Sequence, residues 1–97
     1  MSDQQPSVRH DAAQQRYELL VSGQARGVAE YSEQGEQMVF THTEVDPSLG
    51  GQGLGSVLAR GALEDARRRG KRVVAQCEFI ADYIKRHEEW QDLVDPV

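Results

Sequence analysis

The sequence is poor in cysteine and has no long apolar run. It has one cysteine, Cys77, among 97 residues, so no disulfide can form within it and a reducing cytoplasm is the expected compartment. No apolar stretch approaches the roughly 20 residues that a membrane span needs, and the residues after Met1 lack the apolar segment of an export signal. We therefore expect no membrane partner.

Basic residues are also scarce, and metal ligands are scattered. Lys and Arg number 11 against 16 Asp and Glu, and the net charge of −5 argues against nucleic acid as a partner. The 3 histidines and the cysteine lack ligand spacings such as C-x₂-C or H-x₃-H, so no metal site is predicted. The length allows one small domain with one core.

The sequence is rich in glycine at one place, Gly50-Gly51-Gln52-Gly53-Leu54-Gly55-Ser56. This stretch follows a predicted strand, residues 38–45, and opens a predicted helix, residues 54–69. Glycines let the backbone come close to a ligand, and the first N–H groups of a helix carry partial positive charge without an internal partner. The stretch therefore predicts a phosphate or pyrophosphate site.

Two familiar nucleotide-binding loops do not match these glycines. Counting from Gly51 and Gly53, the dinucleotide fingerprint G-x-G-x-x-G needs a glycine where Ser56 stands. The loop G-x-x-x-x-G-K-[ST] needs a lysine that is missing here. A turn without a ligand remains the structural alternative, because glycines before a helix often only redirect the chain.

The first half of the chain is predicted to form an antiparallel meander. Strand patterns at residues 16–21, 27–31 and 37–45 are joined by short Gly-containing turns, and parallel strands would need longer connections. Residues 1–14 are polar and aperiodic, and we expect a disordered or loosely attached tail.

The second half is predicted to add a parallel strand and two helices. The helix at 54–69 ends at Gly70, and the apolar strand at 71–77 should return parallel to the strand before that helix. A shorter helix is predicted at 80–90.

The third predicted strand has two distinct faces. Simple alternation places Val39, Thr41, Thr43 and Val45 on one face. It places Met38, Phe40, His42 and Glu44 on the other. The second face becomes ionisable next to the glycine stretch. His42 and Glu44 are therefore candidate acid–base groups, with a buried histidine and a strand-end ion pair as the structural alternatives.

Several motifs together resemble a known superfamily. Gly51-x-Gly53-x-Gly55 is similar to the acyl-CoA loop [RQ]-x-x-G-x-[GA] of the GNAT N-acetyltransferases, although Gly50 replaces the usual Arg or Gln, so that only a backbone contribution is expected. Over about residues 15–94 the chain resembles the short, single-domain Yjdj-type branch. The motifs that carry this likeness are His42-Thr43-Glu44-Val45, Cys77-Glu78-Phe79-Ile80 and Tyr83-Ile84-Lys85-Arg86-His87.

The resemblance implies a minimal GNAT fold of the α+β class in residues 15–94. In that fold the strands on either side of the main helix splay apart, and the pantetheine arm of acetyl-CoA pairs with the exposed backbone at about residues 43–46. It implies N-acetyltransfer from acetyl-CoA by direct attack of an amine in a ternary complex. The implied cofactor-binding residues are Val45, Gly51, Gln52, Gly53, Leu54, Gly55 and Ser56.

The same resemblance gives roles to side chains. Tyr83 is the implied general acid, with a core tyrosine as the structural alternative. Cys77 is a second candidate acid or a nucleophile that carries the acyl group, unless it is only a small buried hydrophobe. Glu44 is the candidate base, with His42 sharing the role. A supporting or substrate-facing role is implied for His87, whose structural alternative is a histidine on the helix surface.

The acceptor and the assembly stay open at this point. The resemblance implies that a turn at Gly23 replaces the helices that form the acceptor pocket of larger relatives. The expected acceptor site is therefore open and shallow and suits a protein or peptide amine, or else a second subunit completes it; a small amine is the other candidate acceptor. The chain could act as a monomer or a homodimer. Two rival interpretations are an acetyl-CoA-binding or regulatory module without transfer activity, and a plain interaction domain.

Overall fold

The computed structural model describes residues 5–49 and 53–96 and contains one five-stranded sheet with the strand order β1-β2-β3-β4-β5. Neighbouring strands are antiparallel except for β4 and β5, which are parallel and connected through helix α1. This confirms the α+β fold with an antiparallel meander and one parallel strand. The strands are β1 Ser7–Asp11, β2 Arg16–Val21, β3 Gln24–Gln34, β4 Gln37–Val45 and β5 Arg72–Ala75. The helices are α1 Leu54–Arg68 and α2 Glu78–Arg86, with 3₁₀ segments at Pro47–Leu49 and Glu88–Leu93.

The apolar face of α1 packs on the sheet and makes most of the core. Leu58, Ala62 and Leu63 are fully buried there, against Phe40 of β4 and Val73 of β5. Helix α2 and the last 3₁₀ segment join the same core cluster. In the part of the chain that the structure describes, no helix has the length and apolar character needed to cross a membrane.

Helix α2 begins and ends earlier than the sequence predicts. It covers Glu78–Arg86 rather than residues 80–90. The helix stops because His87 adopts an extended conformation with φ −131° and ψ 92°. The chain then continues as a 3₁₀ segment, which buries Trp90 and Leu93.

The expected N-terminal tail is partly a strand, and the prediction of a loose segment is wrong for Ser7–Asp11. This segment is β1, which pairs with β2 so that Val8 lies opposite Leu19. Val8 also packs against α1 at Gly61, where an added Cβ would lie 2.6 Å from Val8 Cγ2. The strand is therefore held by backbone pairing and by a close approach that only a glycine on α1 permits.

A polar cluster anchors the buried side of β1. The imidazole of His10 stacks on Tyr17 with a centroid distance of 4.4 Å, and its Nε2 lies 2.7 Å from Tyr31 Oη. Tyr17 donates its hydroxyl to Asp65 Oδ2 at 2.7 Å, and Arg69 Nε donates to the same oxygen at 2.6 Å. Asp65 is a carboxylate buried on α1, and Arg68 also pairs with it, so its charge is balanced by hydrogen-bond donors.

These contacts change the acid–base properties of the cluster. Burial, followed by the hydrogen bond to Asp65, raises the pKa of Tyr17. Burial alone would raise the pKa of Asp65, but the hydrogen bonds from Tyr17 and Arg69 outweigh it and the pKa lies below its ordinary value. Burial is also the main reason why the pKa of His10 is lowered.

A β-bulge in β4 reverses the faces that simple alternation predicts. Tyr31 of β3 lies opposite Phe40, whereas Glu30 lies opposite His42. Thr41 is therefore an extra residue, with no residue of β3 directly opposite it. Residues directly opposite each other point to the same side of a sheet. Beyond the bulge, Thr43 therefore shares the face of buried Ala29, which is the face of Phe40 and α1.

The prediction that His42 and Glu44 share the face of Met38 and Phe40 is therefore wrong. The inserted residue shifts the alternation by one, which turns both ionisable side chains to the opposite, outer face of the sheet.

Candidate functional site

The parallel pairing of β4 with β5 ends at Phe40, halfway along β4. Phe40 O accepts the N–H groups of Gln76 and Cys77 at 3.0 and 3.1 Å, and the chain then turns away into α2. From Thr41 onward, β4 is paired with β3 but with no other described strand. The two parallel strands thus form a fork with an open strand edge on one side.

The backbone groups along this open edge can be assigned from the strand geometry. Asp46 donates its N–H to Arg26 O across to β3 at 2.8 Å. Because peptide groups alternate sides along a strand, those of Thr43 and Val45 point away from β3, toward the opening of the fork. The edge therefore presents donors and acceptors to an extended ligand.

The other component of the site is the N-terminus of α1. Gly53 stands at the N-cap position with φ +69°, a left-handed conformation that favours glycine. Within residues 5–49 and 53–96 no side-chain hydrogen bond caps the helix, and its first turn contains no acidic residue. The N–H groups of Leu54, Gly55 and Ser56 lie in the first turn and lack helical acceptors, which suits an anion. Gly50, Gly51 and Gln52 lie outside the described residues.

The loop between the open edge and this helix begins with a fixed turn. Asp46 accepts the N–H of Ser48 at 2.9 Å and pairs with Arg26 at 2.8 Å. These hydrogen bonds, first the backbone one from Ser48, hold the pKa of Asp46 below its ordinary value. The carboxylate thus fixes the exit of β4 rather than facing the helix N-terminus as a free charge.

Cys77 lies at the base of the fork. Its Sγ is 3.2 Å from Thr43 Oγ1, a contact that joins the two diverging chain segments. The thiol is half-buried beside the core. Val45, farther along the same edge, also packs partly against the core.

Tyr83 and His87 stack on one another on α2 and just beyond it. Their ring centroids are 4.0 Å apart, and His87 Nδ1 lies 2.7 Å from Tyr83 O. A carbonyl oxygen only accepts, so Nδ1 carries the proton and Nε2 of the neutral ring keeps its lone pair. Tyr83 is 8% exposed, and its hydroxyl has no hydrogen-bond partner among the described residues although solvent reaches it.

His42 and Glu44 form an exposed pair on the outer face. His42 Nε2 and Glu44 Oε2 are 3.0 Å apart, and both side chains are largely in solvent. A groove of about 850 Å³ runs along this end of the sheet, and Glu44, Val28 and Glu18 are among the residues that line it. Glu18, although charged, is buried because Arg9 and Arg16 both donate to it.

The structure brings together some of the predicted site residues and separates others. Thr43, Val45 and Cys77 share the fork, whereas Glu44 belongs to the same strand but to the opposite face. Thr43 Oγ1 and Cys77 Sγ are in contact with each other, and the hydroxyl of Tyr83 makes no hydrogen bond to either of these described residues. Among residues 5–49 and 53–96, no three His, Cys, Asp or Glu side chains are grouped as metal ligands.

The polar contact between Thr43 and Cys77 was not predicted from the sequence. The signal available was weak, because it consists only of a threonine on the strand before the helix and a cysteine at the end of the strand after it. The bulge at Thr41 turns Thr43 to the face of the sheet that carries Phe40 and α1. This bulge is not visible in the pattern of side chains.

A comparison with protein families gives a match over residues 16–93 to the family described as GCN5-related N-acetyltransferase. The chain belongs to the GCN5-related N-acetyltransferase family. Among solved structures, it is similar to the solution structure of a "GCN5-like putative N-acetyltransferase" from Staphylococcus aureus. That likeness has a TM-score of 0.72 at 22% identity and covers 100% of this chain and 93% of the other, so it supports the fold. A comparison with curated proteins found no significant match.

Proposed function

We propose that this GCN5-related protein transfers an acetyl group from acetyl-CoA to an amine by direct attack in a ternary complex. The observation that carries the proposal is the fork: beyond Phe40 one edge of β4 pairs with no described strand, and no described side chain caps the N-terminus of α1. These two features match the two ends of the donor, because a pantetheine arm can pair as a strand and a diphosphate suits free helical N–H groups.

In this proposal the arm of acetyl-CoA pairs with the backbone of Thr43 and Val45. The diphosphate lies on the N–H groups from Gln52 to Ser56, together with the backbone of Gly51. The thioester then reaches the base of the fork, next to Cys77. Most of the rate enhancement comes from holding the amine and the thioester in a reactive geometry.

The chemical step forms a C–N bond and breaks the C–S bond of the thioester. Glu44, with its partner His42, accepts the proton that the attacking amine loses, directly or through a water. The leaving thiolate of CoA takes a proton from Tyr83 or from Cys77. The Tyr83 hydroxyl is open to solvent and has no hydrogen-bond partner in the described part of the chain. His87 stacks on Tyr83 and fixes its ring.

The acceptor approaches from the outer face in this proposal, since Glu44 points there. No described helix covers the groove beside Glu44, which favours a protein or peptide amine over a small amine that needs an enclosed pocket. The single free cysteine is consistent with work in the reducing cytoplasm.

The test is a product assay with acetyl-CoA and a panel of peptide and small-molecule amines, followed by mass spectrometry. We expect an acetylated amine, and Glu44→Gln should lower its rate by about 10²–10⁴-fold, the usual contribution of a general base, with little change in affinity for acetyl-CoA. Binding of acetyl-CoA with no acetylated amine above the hydrolysis background would favour the rival CoA-binding module. No binding at all would contradict both.

The role of Cys77 is tested in the same assay. If the thiol only packs, intact-mass spectra in the presence of acetyl-CoA stay unmodified and Cys77→Ser retains most of the activity. If the thiol donates the proton to the leaving thiolate, the spectra also stay unmodified but Cys77→Ser lowers the rate. A protein mass increased by one acetyl group, lost in Cys77→Ser, would show instead that an acyl-enzyme forms.

A further inference from the structure

Phe79 is the one large hydrophobic side chain that is strongly exposed in the described part of the chain. It lies at the start of α2, two residues after Cys77, and is 39% exposed. An apolar ligand that covers this exposed ring gains about 25 cal/mol for each Å² removed from water.

The ring of Phe79 packs against a glycine in the first turn of α1. It lies against Gly55 in the first turn of α1, where an added Cβ would be 2.6 Å from Phe79 Cζ and 3.1 Å from Cε1. Gly55 is inside the helix and has no positive φ, so its backbone does not require glycine. The third glycine of the loop motif is therefore explained by the ring that it accommodates.

We propose that Phe79 and Gly55 form a contact surface for the pantetheine arm of the acyl donor, and that this contact helps to select CoA over nucleotides that lack the arm. The inference rests on the proposed function. Phe79 lies next to the first turn of α1, where the diphosphate would bind, and two residues beyond Cys77, where the thioester would lie. An arm that joins these two ends passes the ring, and its methyl groups cover the exposed face.

The test compares two ligands by titration calorimetry: CoA, and 3′-phosphoadenosine 5′-diphosphate, which is CoA without the arm. Covering about 60 Å² of apolar surface at about 25 cal/mol per Å² corresponds to roughly a tenfold change in affinity. We expect Phe79→Ala to weaken CoA binding by about tenfold and to leave the affinity for 3′-phosphoadenosine 5′-diphosphate within about twofold. Phe79→Leu, which keeps an apolar side chain, should restore part of the loss.

Gly55→Ala provides a second, independent test of the contact. Its new Cβ would displace the ring, so we expect a similar loss for CoA alone and no further loss when it is combined with Phe79→Ala. The unfolding midpoint of each variant is measured alongside, and additive losses in the double variant would contradict a shared contact.

Other outcomes separate this inference from the proposed function. If the wild-type protein binds CoA and Phe79→Ala binds it equally well, the contact is refuted while the transferase proposal stands. Equal losses for both ligands would place the ring at the nucleotide end and would overturn the inference as well. Wild-type protein that binds neither ligand refutes the proposed function itself. If Phe79→Ala lowers the mass measured by sedimentation and leaves CoA binding unchanged, the ring contacts a second copy of the chain instead of CoA.

Discussion

Removing the hydroxyl of Tyr17 should destabilise the protein by about 2 kcal/mol. This hydroxyl is fully buried and donates at 2.7 Å to the carboxylate of Asp65, and a hydrogen bond to a charged group contributes about 1.5–3 kcal/mol. Arg69 continues to pair with the carboxylate in Tyr17→Phe, so no unpaired charge is left and a value near the lower half of that range is expected.

Asp65→Ala should cost more, about 3 kcal/mol, because it leaves the Tyr17 hydroxyl buried with only Met38 Sδ at 3.9 Å. When Tyr17→Phe and Asp65→Ala are combined, the loss of stability should be smaller than the sum of the two single losses. The difference is a coupling energy of about 2 kcal/mol. That is a large fraction of the roughly 5–15 kcal/mol that stabilises a small domain.

Urea unfolding at pH 7, followed by the fluorescence of Trp90, measures all three variants. A loss of 2 kcal/mol lowers the midpoint by about 1 M at a typical slope of about 2 kcal/mol per M. Since the folded-state pKa of Asp65 is lowered, its contribution is complete above the unfolded-state value of about 3.9 and disappears as the pH falls through the lower folded value. A coupling energy below about 0.5 kcal/mol at pH 7 would refute the assigned hydrogen bond between Tyr17 and Asp65.

Three further perturbations test other parts of the structure. Gly61→Ala should push β1 away from α1 and lower the free energy of unfolding by about 1–3 kcal/mol, and an unchanged value would mean that the close approach is not needed. His10 has a lowered folded-state pKa, so the unfolded chain binds more protons below about pH 6.5; wild-type stability should fall there as the pH decreases, and His10→Phe should remove that part of the pH dependence in urea titrations. Gly53→Val should abolish CoA binding in calorimetry. Gly70→Val is the matched control, because Gly70 also has a positive φ and lies beyond the other end of α1; it should cost similar stability but leave CoA binding unchanged. Equal CoA affinities for the two variants would contradict a binding role for the N-terminus of α1.

The sequence was informative where local rules decide the structure. The glycine stretch at the junction of a strand and a helix predicted the start of α1 at Leu54, and Gly70 predicted its end. The apolar run at Val73 and Val74 predicted a strand parallel to the one before the helix, which β5 is. These features depend on backbone conformation and hydrophobic periodicity, both of which are visible in one chain.

Other features depend on contacts between distant residues, and the sequence alone did not reveal them. Strand β1 contains one aliphatic residue, Val8, and is fixed by His10 and by its fit to Gly61. Asp65 gave a usable signal, since a carboxylate beside Ala62 and Ala66 on the apolar arc of a helix requires a buried partner.

The bulge at Thr41 gave no signal, because it arises from register between strands rather than from the type of one side chain. It moved His42 and Glu44 to the outer face, whereas the parallel pairing of β4 with β5 and the start of α1 at Leu54 were predicted. The face on which a side chain lies was thus harder to predict than the course of the backbone.

The most direct measurement is a ¹H–¹⁵N NMR titration of the protein with CoA, which reads each backbone amide separately. We expect the largest shifts at residues 53–56, in the first turn of α1, and at residues 43–45, along the open edge of β4, with β1 unaffected. A groove between β1 and α1, lined by Val8, His10 and Arg60 among others, is the alternative site. Shifts concentrated there, or no shifts at saturating CoA, would contradict a donor site at the fork.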